Sequence, residues 1–201
     1  MTKCRVEITK PEWSRMDAAD GQEEAHPTAF EASGPCTYSV SAETTSDGGV
    51  DVECGFTDLR VLKTTGSGFE NFPRCEYTTL PEMHDRLLCT SVTASWTFAK
   101  GCSPGYSAVA SMVREVTLDF FANRYSLSVQ QVVYDIGEEL LARIPELESV
   151  TLILPNIHVF LYDIARFGLE NNNEVYYPVD DPAGYIEGTV VRSNKPLSSK
   201  L

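Results

Sequence analysis

The sequence predicts an α+β fold: an antiparallel sheet with two helices packed across one of its faces. Three observations predict it. From residue 37 onward the signals run strand pair, helix pair, strand pair. The strand runs alternate apolar and polar residues with period two, and the two helical segments carry the 3.6-residue period of half-buried helices.

Cys4 to Ile8 alternates and reads as a strand, followed by a charged loop over 10–25 that holds Pro11 and Gly21. Thr37 to Thr45 and Val50 to Leu62 are β-rich runs separated by Ser46-Asp47-Gly48-Gly49, a hairpin-turn composition. Thr64 to Cys75 is rich in Gly and Thr, carries Phe69, Phe72 and Pro73, and reads as an ordered loop. Thr79 to Leu88 is expected to turn helical at its end. Ser91 to Phe98 reads as a strand with Val92, Ala94, Trp96 and Phe98 on one face.

A loop over Ala99 to Ser107 leads into helices over Ala108–Asn123 and Ser128–Ile144. The second helix places Val129, Val132, Val133, Ile136, Leu140, Leu141 and Ile144 on one stripe. Ser128 and Gln131 form a capping box, and Pro145 stops the helix. Val150 to Leu154 is a strand ended by Pro155, with His158 to Tyr162 as its continuation after a kink. Glu174 to Tyr177 and Tyr185 to Arg192 are later strands around a turn at Asp180 to Gly184. The opening strand and loop read as the remnant of a preceding unit with no helices of its own. The expected organisation is therefore a remnant over 1–36, a complete unit over 37–192 and a tail over 193–201.

Composition narrows the partners. Lys and Arg total 16 against 29 Asp and Glu, a formal charge of −13, and hydrophobic residues make up 42% of the 201. That balance is ordinary for a folded chain and argues against nucleic acid or an anionic membrane as partner, since both need clustered cations. No apolar run approaches the ~20 residues of a membrane span, and MTKCRVEITK is no signal peptide. The expectation is a soluble, unsecreted protein. Neighbouring cysteines are at least 13 residues apart, with no C-x-x-C, and His26, His84 and His158 are scattered, so no metal site is expected. Free thiols in a reducing compartment are expected, with one or two opportunistic disulfides as the alternative. The last three residues, Ser199-Lys200-Leu201, form a peroxisomal address after a polar stretch, read by an import receptor.

Four stretches are unusual for mere packing. Phe69 rises from a loop of small residues, as a lid over core or as a stacking platform for a ligand. Arg86 is either salt-bridged to its neighbour Asp85 or a fork that clamps a planar anion. Gln130 sits at a helix N-terminus, where backbone N–H groups point outward. It is either an ordinary exposed residue or an amide that pairs with the edge of a heterocycle. Asn156 and His158, two apart on a strand, share a face. His158 is either structural or part of a pair that holds a small molecule and moves a proton.

Taken in order, these stretches resemble the urate oxidase (uricase) family. The resemblance runs through Trp13-Ser-Arg-Met16, His26-Pro-Thr-Ala-Phe30, Leu62 to Phe69, Glu76-Tyr-Thr-Thr-Leu80, Asp85-Arg86, Ser128-Val-Gln130, Leu154-Pro-Asn-Ile-His158, Glu174-Val-Tyr176, Asp181-Pro-Ala-Gly184 and the terminal Ser-Lys-Leu. It implies the tunnelling fold (T-fold), two units per subunit, assembled as a tetramer around a tunnel. It also implies oxidation of urate by O2 and water to 5-hydroxyisourate and hydrogen peroxide, with no cofactor and no metal.

Carried over by motif, Phe69 would stack on the purine, Leu80 would line the pocket and Arg86 would fork to the urate anion. Gln130, with the backbone N–H of Val129, would hold the opposite edge. Asn156 would hold O2 or water above the ring, and His158 would belong to the proton relay. The chain departs from the family in lacking its initial third, which supplies a catalytic Lys and a Thr–Asp pair, so the relay is expected to be impaired and strand edges left open. Cys75 replaces an acidic residue, which is expected to loosen the loop after Phe69; Thr28 stands where His is common and Ile157 where Lys is common. The resulting expectation is a urate oxidase chain, with a non-catalytic subunit that binds urate or caps an oligomer as the alternative.

Overall fold

The position of each strand follows from where its apolar residues must point. The computed structural model describes residues 13–17, 25–32, 36–44, 50–102, 104–180 and 184–193. Its elements are β1 (Trp13–Asp17), β2 (Ala25–Ala32), β3 (Thr37–Thr44), β4 (Val50–Lys63), β5 (Leu88–Phe98), α1 (Tyr106–Asn123), α2 (Val129–Arg143), β6 (Leu147–Ile153), β7 (Val159–Leu161), a 3-10 turn at Ala165–Phe167, β8 (Tyr176–Pro178) and β9 (Glu187–Val191).

Seven strands form one antiparallel sheet in the order β1-β2-β4-β5-β6-β9, with β3 also paired to β4. The long strand β4 is shared: its first half pairs with β3 and its last residues with β2. Cys54 and Phe56 keep period two, as do Leu59 and Val61, but the two pairs are out of phase. A bulge between Phe56 and Leu59 absorbs the extra residue, with Asp58 at φ 62°, so all four side chains reach the same buried face.

Both helices cover that face. The predicted α2 stripe is buried at every position from Val129 to Ile144, and the Ser128 hydroxyl accepts the Gln131 N–H at 3.2 Å, as the capping signal requires. Trp96 and Phe56 meet edge to face at 6.1 Å beneath the helices. The opening strands lie under the same layer: Met16 and Ala29 belong to the core, and Glu31 pairs with Arg114 of α1. Among the described residues, β1 and β3 are each paired on one side only. No helix there is long and apolar enough to cross a membrane.

Four expectations are corrected. The charged loop expected over 10–25 holds β1 at Trp13–Asp17, because Met16 reaches the core. Thr79–Leu88 contains no helical turn. Pro81 lacks a donor, and Met83 exchanges two backbone hydrogen bonds with Phe69 (2.7 and 3.1 Å) across the loop, so the segment is held extended and Leu88 already belongs to β5. His158–Tyr162 does not continue β6. The chain at 154–157 bonds to Ile186, Gly184 and Cys89 in turn. β7 then leaves the main sheet to form a two-stranded sheet with β8, the strand predicted around Glu174–Tyr177. The loop after β5 ends sooner than expected, because α1 starts at Tyr106. The strand at Cys4–Ile8, the turn at 46–49, residues 181–183 and the terminal tripeptide lie outside the described residues.

Helix α2 approaches β9 through two glycines that receive each other's neighbours. A Cβ on Gly137 would meet the Val190 side chain at 2.5 and 3.0 Å, and a Cβ on Gly188 would meet Val133 at 2.7 Å. Gly137→Ala therefore sets a helix-propensity gain of about 1 kcal/mol against overpacking a stiff β-branched side chain, which costs about 1–3 kcal/mol. Urea unfolding is expected to show net destabilisation on the order of 1 kcal/mol; a stabilised variant contradicts the packing.

Candidate active site

The end of β4, the start of β5, the N-terminus of α2 and the end of β6 all fall at one end of the sheet, because these strands are antiparallel neighbours. The loops they emit enclose a cavity of about 630 Å3 lined by Phe69, Leu80, Arg86, Val129, Gln130, Asn156 and His158, among others. These are the residues nominated from the sequence, drawn from four separate segments.

Ser126 joins two of these segments. Its N–H donates to Gly66 O (3.1 Å), its C=O accepts from Gly68 N–H (2.7 Å), and its buried hydroxyl accepts from Lys63 Nζ (2.8 Å). The 66–70 loop is thereby laid along the α1–α2 connection. Arg86 is fixed by its own N–H, which donates to Ser67 O at 2.8 Å.

Asp85 does not neutralise Arg86. Its carboxylate accepts from Thr65 Oγ1 at 2.8 and 2.9 Å and from Gly66 N–H at 3.1 Å, which removes the salt-bridge alternative. Among the described residues, the Arg86 side chain makes no ion pair and no hydrogen bond, and its Nε is buried without a partner. The guanidinium lies 5.5 Å from the Phe69 ring centroid, and Phe69 stacks on Phe72 at 4.5 Å. Burial pushes Arg86 below its usual value, yet a guanidinium stays charged. An unneutralised cation beside an aromatic face therefore borders the cavity.

Opposite, the Ser128 cap satisfies Gln131 and leaves the first N–H groups of α2, those of Val129 and Gln130, without an i−4 partner. Val129 is buried and Gln130 exposed. Asn156 and His158 reach the cavity from irregular backbone rather than a strand. Asn156 N–H donates to Gly184 O at 2.8 Å, and the His158 ring stacks on Phe160 at 5.7 Å.

Sequence reasoning missed the wall contributed by the small sheet, where Phe160, Leu161, Asn173 and Tyr176 also border the cavity. Both strands were legible, but not that they pair with each other to form a separate sheet beside the cavity. It also passed over Lys63, whose signal was a lysine on the inward side of a strand, in phase with Leu59 and Val61. Cys36, Cys54, Cys75, Cys89 and Cys102 are free thiols. Cys75 closes a turn in which its N–H donates to Thr78 Oγ1 at 2.9 Å, and a backbone hydrogen bond from Tyr77 lowers its thiol below the usual range. Among the described residues no group of His, Cys, Asp or Glu is arranged to hold a metal ion.

The fold and site define an α+β layered protein whose cavity is bordered by an unneutralised cation and an amide side chain. The family model described as Uricase matches residues 52–187. Uricases of Dictyostelium discoideum and Danio rerio are 39% and 38% identical to this chain, each over 96% of it and over 66% and 65% of their own length. The crystal structure of uricase from Arthrobacter globiformis superposes with a TM-score of 0.71 at 34% identity, covering 92% of this chain and 62% of that one. The chain thus spans about two thirds of the length of the relatives it matches. It belongs to the uricase family, and its sheet with two helices on one face is the family's T-fold arrangement.

Lys63 supplies a prediction. It is 2% exposed, donates to Arg124 O and Ser126 Oγ (2.8 Å each), and burial pushes its ammonium from 10.5 down to about 8. Between those two values the unfolded chain binds more protons than the folded one, so Lys63 adds stability as pH rises from about 8 towards 10.5. Chemical denaturation across this range is expected to show the wild type gaining on Lys63→Met. Parallel pH profiles contradict it.

Proposed function

We propose that this cavity binds the urate anion and serves the oxidation of urate by O2 and water to 5-hydroxyisourate and hydrogen peroxide. The observation that carries the reading is the convergence of Arg86, Gln130 and Asn156 on one cavity. Their side chains have no hydrogen-bond partner among the described residues. The buried Arg86 Nε is costly to leave unpaired unless a ligand completes it, and Gln130 and Asn156 present amides to the same space.

In this reading urate lies flat on Phe69. Arg86 forks to the anionic edge, and Gln130 with the Val129 N–H pairs with the other edge. Leu80 closes the side, Asn156 places O2 or water over the ring, and His158 passes a proton. The electrons come from the substrate: deprotonated urate gives up two, O2 takes two electrons and two protons to become peroxide, and the oxygen of water bonds to the ring. The protein has only to deprotonate, orient and exclude, so the reading requires neither flavin nor metal. Turnover at a full rate also calls on the Lys and Thr–Asp pair that the family resemblance assigns outside these 201 residues. The second reading is a non-catalytic subunit that binds urate or caps a homologous oligomer. The family resemblance further suggests a homotetramer, and Ser199-Lys200-Leu201 suggests a peroxisomal address read by the import receptor.

Anaerobic calorimetric titration with urate tests the site. Arg86→Met is expected to weaken binding on the order of a hundredfold, since two charge-assisted bonds are lost, and Arg86→Lys to restore only part because ammonium is not a fork. Unchanged affinity in Arg86→Met refutes the proposal. With oxygen admitted, peroxide release distinguishes the oxidising reading from the binding-only one.

A further inference from the structure

Three residues that do not line the cavity join the segments that build it. The Tyr125 hydroxyl, from the α1–α2 connection, lies within hydrogen-bond reach of both Glu70 Oε1 and His84 O (2.7 Å to the latter), and its single proton is shared between these two acceptors. Glu70 Oε2 in turn lies 3.1 Å from His84 Nδ1. The ring thus links the loop that carries Phe69, the stretch that leads to Arg86, and the connection that leads into α2 and Gln130. Backbone bonds follow the same lines: Gly68 N–H to Ser126 O at 2.7 Å, Glu70 N–H to Leu127 O at 3.2 Å, and Phe69 N–H to Met83 O at 2.7 Å.

Gly68 is an independent sign that this closure is built in. A Cβ there would meet Glu70 Oε1 at 2.5 Å, the Tyr125 hydroxyl at 2.6 Å and Met83 O at 2.7 Å. The three segments close directly over a position with no room for a side chain. Tyr125 and Glu70 also hold each other's protonation. The Tyr125 hydrogen bond lowers the Glu70 carboxyl, and the same bond raises the Tyr125 phenol, so a carboxylate acceptor faces a neutral donor at ordinary pH.

We infer that Tyr125 is a positioning residue for the site: with Glu70 and His84 it clamps the Phe69–Arg86 half to the Gln130 half, and so sets the affinity for the planar anion. The inference rests on the urate reading for its ligand, and on the three-segment closure for its mechanism. None of the three side chains lines the cavity, so their effect is on binding geometry rather than on proton or electron transfer. A misplacement of about 1 Å between the two halves is enough to matter in a site of this kind.

The test pairs amide hydrogen exchange with anaerobic urate titration of the full chain. Tyr125→Phe removes one exposed hydroxyl and is expected to fold. In it, exchange at Gly68, Phe69 and Glu70 should accelerate, and urate affinity should fall roughly tenfold. Gly68→Ala, which forces the ring open, should do the same. Glu70→Gln keeps an acceptor for the hydroxyl and should retain more affinity than Glu70→Ala. Tyr134→Phe, an exposed tyrosine on α2, should change nothing. Where the chain turns over, the loss should appear in KM with kcat within about twofold. Wild-type exchange in Tyr125→Phe overturns the clamp, and accelerated exchange with unchanged affinity overturns the positioning role. Absence of urate binding by the wild type instead overturns the substrate reading, with the clamp still judged by exchange.

Discussion

The arrangement of the cavity depends on one junction. Ser126 bonds through its amide, its carbonyl and its hydroxyl to three different partners, Gly66, Gly68 and Lys63. The long loop between β4 and β5 is thereby laid along the short α1–α2 connection, and the residues it carries arrive at the mouth of α2. Burying Lys63 to reach Ser126 carries a desolvation cost visible in its lowered ammonium value. The structure accepts that cost because a hydroxyl and a carbonyl are waiting for the donor.

A second constraint explains why a cation stands unneutralised beside the cavity in a chain of net charge −13. The acidic groups near Arg86 are engaged elsewhere: Asp85 with Thr65 and Gly66, Glu70 with Tyr125 and His84. The guanidinium is left with only an aromatic face beside it. Charge balance around a site is decided by which carboxylates are already committed, so the net charge of the chain is a poor guide to it.

Much of the fold was legible because periodicity is written locally. The α2 stripe, its Ser128 cap and the alternation through Val92, Ala94 and Trp96 needed no knowledge of distant partners. The failures share a different cause. Thr79–Leu88 is held extended by Met83 bonding to Phe69, and β7 leaves the line of β6 because β8 comes back to pair with it. Both are decisions made by contacts far along the chain, which residue patterns do not carry. Within the site the cationic and amide groups were legible by type. What was not legible was whether Arg86 and Asp85 would neutralise each other, and that turned on two hydrogen bonds from Thr65 and Gly66 to the carboxylate.

In the proposed reading, a ring, a guanidinium and a carboxamide from separate segments face one flat anion. A crystal structure of the chain with urate bound under exclusion of oxygen tests it most directly. The expected density is a purine lying parallel to the Phe69 ring, with Arg86 and Gln130 on opposite edges. Urate lodged elsewhere, or density in the cavity that leaves Arg86 unpaired, would contradict it.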